Sequence, residues 1–192
     1  MLVYRVFPYL AEARPGEPGH PDYVHPEQGS GRLDNPDLYL VRYLTTEPSA
    51  AIGETFAHLT YWNRAMLRFP GLPGARRVLG VYSLDEEAVP LLNLDDARVL
   101  LERNLRPTQV IERNRPATQA WARRIYEEQS WDGVRWWSYH RPQSTILGVW
   151  REGAIHSERT EDLWEHPAFA DAARALAKLV IPAESGSMLR DG

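Results

Sequence analysis

The chain of 192 residues contains no cysteine. That excludes disulfides, thiolate nucleophiles and cysteine-held zinc or iron–sulfur centres, and it fits a reducing compartment. Long apolar runs are missing too: nothing approaches the about 20 residues needed to cross a bilayer. The opening MLVYRVFPYL lacks the basic, apolar and small-residue regions of a secretory signal. A cytoplasmic protein without membrane contact is the expectation. Basic excess is also absent, with 22 Lys plus Arg against 26 Asp plus Glu and a net charge of -4. The pairs Arg76/Arg77 and Arg123/Arg124 stand too far apart to track a phosphate backbone, so no direct nucleic-acid contact is expected. There is no P-loop, GxGxxG or GxSxG. The six histidines (His20, His25, His58, His140, His156 and His166) form neither an i, i+4 pair nor an HExxH motif, and no metal site is expected.

What remains is an ordinary globular balance, 43% hydrophobic and 25% charged. The length suits one domain with its own core. Seven Trp and nine Tyr offer large, rigid packing units, some of them suited to a ligand cleft. The β-branched and aromatic residues of Leu2–Phe7 predict a strand. Residues Pro8 to Pro36 form a long Pro- and Gly-rich segment of the kind that often carries function. LYLVRYL (Leu38–Leu44) predicts a second strand. Pro48, after Thr45 and Thr46, opens a helix expected to run to about Leu67. Further strands are expected at Arg77–Ser83, Val134–Tyr139, Thr145–Trp150 and Ala154–Arg159, with Glu152–Gly153 as a hairpin turn between the last two. Helices are expected near Asp95–Asn104, Ala117–Glu128 and Pro167–Leu179. The last has an apolar stripe of Phe169, Ala173, Leu176 and Val180 that leaves a homodimer contact open. Strands at both ends with helices between them, and no regular βαβ alternation, predict a single α+β domain over residues 1–181. A flexible tail is expected over 182–192.

The helix beginning at Pro48 is short of charge. Between Pro48 and Asn63 its one formally charged side chain is Glu54, flanked by the small residues Ala50, Ala51 and Ala57. A surface helix normally gives one face to charged residues, and an unpaired carboxylate is costly to bury. Glu54 is therefore either ion-paired, with Arg32 or Arg42 as candidates, or capping a nearby loop amide, or held ready in a cleft. Arg32 lies in GSGRLDNP, where glycines permit close approach of the backbone to a ligand and an arginine can pair with phosphate. Tyr43 ends the strand that feeds the helix. Ser138 lies in DGVRWWSYH, a turn followed by an aromatic strand.

Together these segments resemble the RES domain family. GRLDNPDLYLVRYLTTEPSAAIGE is similar to the family's GRxxNP…YLAxxPxxAxxE, with Tyr43 and Glu54 eleven positions apart, and DGVRWWSYHRPQSTILGVW is similar to its DG-x-x-x-x-S segment. Arg5 in YRV matches a frequent family start, and Leu33 stands where an aromatic is common. The resemblance implies an ADP-ribosyltransferase-like fold, with mixed or antiparallel sheets flanked by helices. It also implies an enzyme that consumes NAD as substrate, needs no cofactor, and splits the nicotinamide N-glycosidic bond with water or inorganic phosphate as acceptor. The family includes toxins restrained by an Xre-like antitoxin partner. The roles implied are Glu54 at the ribose, Arg32 at the diphosphate or ribose, Tyr43 stacked on nicotinamide, Ser138 fixing the pose, and Arg5 as a further NAD contact. A protein ADP-ribosyltransferase and a non-catalytic RES-like binding module are the alternatives.

Overall fold

Alternation along the first strand decides where the layers go. In β1 (Leu2–Tyr9), Val3 and Phe7 are buried on one face, while Tyr4 and Val6 pack toward the other. The computed structural model describes residues 1–151, 153 and 155–182. β4 (Arg76–Leu84) pairs antiparallel along all of β1, from Leu2↔Ser83 to Tyr9↔Arg76. β8 (Ile155–Glu161) closes that side against β4. On the other side β2 (Arg42–Thr45) pairs with β7 (Thr145–Val149), β7 with β6 (Gly133–Trp137), and β5 (Leu91–Asn93) lies parallel to β6. The result is one seven-stranded, mostly antiparallel sheet in the order β5-β6-β7-β2-β1-β4-β8. Its two halves meet through a single register pair, Tyr4↔Thr45.

Each half has its own helical cover on the front face. α1 (Pro48–Phe56) and α5 (Pro167–Ala175) cover β1 and β4 through Ile52, Phe56, Leu79, Phe169 and Ala172. Of the predicted stripe, Phe169, Ala173 and Leu176 pack in the cluster shared with α1, whereas Val180 lies beyond α5 in β9 and is exposed. α2 (Ala97–Glu102), α3 (Pro107–Ile111) and α4 (Arg115–Glu127) cover the other half through Leu100, Val110, Trp121, Ile125, Trp136 and Ile146. On the back face Phe7, Leu44, Tyr82, Val149 and Ile155 form one cluster. Strands far apart in the sheet order share this cluster, so the sheet curls around it. The architecture is the expected α+β one.

Several boundaries differ from expectation. The helix from Pro48 stops at Phe56 rather than near Leu67, because its last carbonyls find other donors: Trp62 Nε1 binds Phe56 O at 3.1 Å and Lys178 Nζ binds Ala57 O at 2.7 Å. The aromatic pair Tyr61–Trp62 then extends as β3, parallel to β9 (Leu179–Val180). Leu38–Tyr39 is drawn out of the predicted second strand by a turn in which both amides donate to Asn35 O. The predicted hairpin between the two late strands does not form, since β7 and β8 are separated by β2, β1 and β4. TILGV is buried on both faces and needs a central place, whereas IHSERTE is mostly polar and suits an edge. Gly153 has a positive φ of 81°, while Glu152, Ala154 (the expected start of the last strand) and the residues from 183 to the end of the predicted tail lie outside the described set. Among the described residues, no helix is long and apolar enough to cross a membrane.

Gly148 of β7 shows how tightly the front layer is built. A Cβ there would run into the Leu33 side chain and meet Val41 Cγ2 at 3.4 Å. Gly148→Val is expected to cost about 1–3 kcal/mol through overpacking. The effect should be read as a lower urea midpoint at unchanged slope.

Candidate active site

The break between the half-sheets opens on the front face as a cleft of about 310 Å³, lined by Tyr4, Arg32, Tyr43, Thr45, Glu54 and Arg115 among others. α1 flanks it on one side and the Gly29–Asp34 loop on the other. Glu54 is exposed within it, which accounts for the isolated charge. The rest of the short helix serves the core or the cleft wall and has little surface to solvate.

The Glu54 carboxylate is not loose. Ser138 Oγ donates to its Oε1 at 2.5 Å. Ser138 is fully buried just beyond β6, and its Oγ accepts from the amides of His140 (3.2 Å) and Arg141 (3.0 Å). With two donors arriving at the oxygen, the hydroxyl proton is directed to Glu54. Two further bonds hold the β6–β7 loop against the start of α1: Arg141 Nη1 to Ser49 Oγ at 2.8 Å, and Ser144 Oγ to Glu47 Oε2 at 2.9 Å. Oε2 of Glu54 has no hydrogen-bond partner among the described residues.

Tyr43 stands in the cleft wall with its hydroxyl tied down, donating to Asp34 Oδ1 at 2.7 Å and accepting from the Leu33 amide at 2.8 Å. Burial, reinforced by the Asp34 carboxylate, holds the phenol well above its ordinary range. Tyr43 therefore offers a neutral ring rather than a phenolate. Asp34 organises the loop: its Oδ2 takes the amides of Gly29 (2.8 Å) and Gly31 (2.6 Å). Gly31 is required there, since a Cβ would meet the Tyr43 hydroxyl and the Asp34 carboxylate. Tyr39, also in the segment that resembles the family motif, is buried with its hydroxyl on Leu33 O at 2.6 Å.

Arg32 lines the cleft, yet much of its fork is engaged elsewhere. Nη1 donates to Val110 O (2.5 Å) and Glu112 O (2.8 Å), and Nη2 donates to Ile111 O (3.3 Å), the carbonyls at the end of α3. Its pKa is lowered by burial and by the like charge of Arg115, with Glu54 opposing. One Nη2 hydrogen and Nε remain for a ligand. Arg5 borders the cleft through its place in β1, but its guanidinium lies toward Tyr23 O (3.4 Å) and over the Phe7 ring (5.1 Å). That is the face opposite Tyr4 and Val6. The structure thus brings Arg32, Tyr43, Glu54 and Ser138 together and leaves the Arg5 side chain apart from them.

Two residues of the site were missed in the sequence. Asp34 occupies a variable position of GRxxNP, three residues after Gly31, where an acidic side chain can anchor a glycine loop. Arg115 is marked only by Pro116, which follows it in the first turn of α4. A larger cavity, about 740 Å³, lies behind the sheet near Asp22, Arg42, Trp150, Arg151 and His156. Its guanidiniums are spent locally, with Arg42 on Asp22 O and Arg151 on Asp132, so the smaller front cleft has the convergent polar groups expected of a reactive site. Among the described residues no three of His, Asp or Glu gather to hold a metal.

An α+β domain with a carboxylate held by a buried serine at the break of a split sheet is the class that fold and site define. A RES domain family model matches residues 2–174, and the chain belongs to the RES domain family. Among solved structures it is similar to a chain of the M. tuberculosis MbcT-MbcA toxin-antitoxin complex, with a TM-score of 0.57 and 14% identity, covering 92% of this chain and 89% of that one. At that identity the likeness speaks for the fold. No curated protein matches.

Proposed function

We propose that the protein cleaves the nicotinamide N-glycosidic bond of NAD, as a toxin restrained by an antitoxin of the Xre-like kind. The observation that carries this reading is the Glu54–Ser138 pair in the cleft. Breaking the bond from ribose C1′ to the pyridinium nitrogen sends the electron pair to nicotinamide, which leaves neutral, and places positive charge on the ribose. The transition state is of the oxocarbenium kind met in glycoside hydrolysis. No strong acid is needed for such a leaving group. An anion near the ribose is needed, together with groups that fix the reacting pose.

Glu54 supplies the anion. Ser138 holds Oε1, which leaves Oε2 to take a ribose hydroxyl. The Tyr43 ring offers a neutral surface for nicotinamide, and the positive charge of Arg32 favours a diphosphate. The oxygen of water or of inorganic phosphate then bonds to C1′, and with water a proton is released. An NAD-consuming enzyme of this kind has its substrate in the cytoplasm. Incubation with NAD, following free nicotinamide with and without phosphate, tests the reading. Release of nicotinamide together with ADP-ribose, or with its phosphorylated form when phosphate is supplied, is the expected result. A folded protein that releases none under either condition would overturn it.

A further inference from the structure

The cleft contains a cation that the roles above leave idle. Arg115, the first residue of α4, is fixed through Nε to Ser30 O at 3.0 Å. Its Nη1 is shielded from solvent and has no hydrogen-bond partner among the described residues. A shielded donor without an acceptor is uncommon in a folded protein. Arg115 also lines the same cleft as Glu54 and Tyr43, and it is close enough to Arg32 for the two charges to oppose each other.

The division of labour between the two arginines follows from their partners. Arg32 has three donor contacts committed to the end of α3, so it builds the wall as much as it addresses a ligand. Arg115 makes one bond, to the Gly29–Asp34 loop, and keeps most of its fork. Arg113 adds charge at the rim, 6.0 Å from the Tyr139 ring, which is itself exposed and lines the cleft. The carboxylates that face this group are Glu54 and Glu112. In a chain of net charge -4, three arginines gathered around one cleft create a local attraction for anions.

We infer that Arg115 is the phosphate-binding residue of the cleft, its guanidinium taking oxygens of a phosphate group with a charge-assisted, forked pair of hydrogen bonds. The inference rests on the NAD reading only for the identity of the larger ligand. The phosphate could belong to the diphosphate of the dinucleotide or to the inorganic phosphate acceptor, and the two sources separate by experiment.

The probes are inorganic pyrophosphate and inorganic phosphate, titrated calorimetrically into the full chain. The wild type is expected to bind at least one of them, Arg115→Gln to lose about tenfold in affinity, and Arg115→Lys to keep part of it. A ¹⁵N spectrum of the arginine Nε–H groups gives a second readout on the wild type. The Arg115 signal, assigned by its loss in Arg115→Lys, should move on adding the anion. This readout stands even if Arg115→Gln fails to fold. A raised KM for NAD with an unchanged KM for phosphate assigns the site to the diphosphate; the reverse assigns it to the acceptor. A wild type that binds neither anion, an unmoved Arg115 signal, or a folded Arg115→Gln with wild-type affinity overturns the inference. Arg115-dependent anion binding without NAD turnover would leave it standing and remove the NAD reading instead.

Discussion

Glu54→Gln is expected to abolish nicotinamide release while leaving the fold intact. The substitution keeps the shape of the side chain and an oxygen able to accept the Ser138 hydroxyl, so the 2.5 Å contact has a neutral substitute. What is lost is the negative charge proposed to face the ribose. Electrostatic groups preorganised for a transition state commonly contribute 10²–10³ in kcat each, and here a full charge rather than a dipole is removed. A fall in kcat of about 10³-fold or more is therefore expected, with KM for NAD changing much less. Glu54 is exposed in the cleft and supports no core, so stability should stay within about 0.5 kcal/mol of wild type. Single-turnover measurement of nicotinamide alongside a urea titration checks both halves. Undiminished turnover by a folded variant would remove Glu54 from the chemistry.

The second large effect is expected at Asp34, which makes no contact of its own with the proposed reacting atoms. Asp34→Ala deletes a buried carboxylate that receives the Gly29 and Gly31 amides and the Tyr43 hydroxyl. Three donors are then stranded in one small region. Buried donors left without an acceptor cost about 1–3 kcal/mol each, and the loop can relax enough to recover some of them. A net loss of about 3–5 kcal/mol is expected, comparable to breaking a buried ionic contact. Asp34→Asn should lose less, since its single carbonyl oxygen still accepts while its NH₂ faces a donor. Chemical denaturation gives the stability change. Any folded fraction should also show a raised KM for NAD, because Tyr43 and the Arg32 segment would no longer be held in the wall. Wild-type stability in Asp34→Ala would mean that α4 fixes the loop by itself, through Gln119 on Gly29 O and Gly31 O.

The lone charge of Glu54 was legible because a missing feature is local: a helix short of Lys, Glu and Arg can be seen in sixteen residues. Its partner was legible only as a motif, since Ser138 lies 84 positions away and nothing in DGVRWWSYH says which carboxylate its hydroxyl meets. Arg32 reads as a ligand arginine for the same reason. Its neighbours in sequence are glycines, and the carbonyls of Val110, Ile111 and Glu112 that occupy its fork come from a short helix that periodicity does not reveal. The sheet was half-visible. β1, β4, β6 and β7 have the composition of strands, whereas β3, β5 and β9 are two or three residues long and exist because distant partners supply their hydrogen bonds. The missed separation of β7 from β8 has a similar origin. Adjacent strands in sequence usually pair, but β7 takes a central place and β8 an edge of the same sheet.

That single rung between β1 and β2 makes the molecule two plates joined by one backbone pair and, behind it, by the shared cluster of Phe7, Leu44, Tyr82, Val149 and Ile155. Across the front, the plates are riveted by Ser138 to Glu54, Arg141 to Ser49 and Ser144 to Glu47, each joining the β6–β7 loop to the α1 segment. One of these rivets is the proposed reactive carboxylate. On the proposed reading a substrate hydroxyl goes to Oε2 and leaves Ser138 on Oε1, so binding keeps that rivet in place. One side chain would then act as a fastener with one oxygen and as a ligand contact with the other.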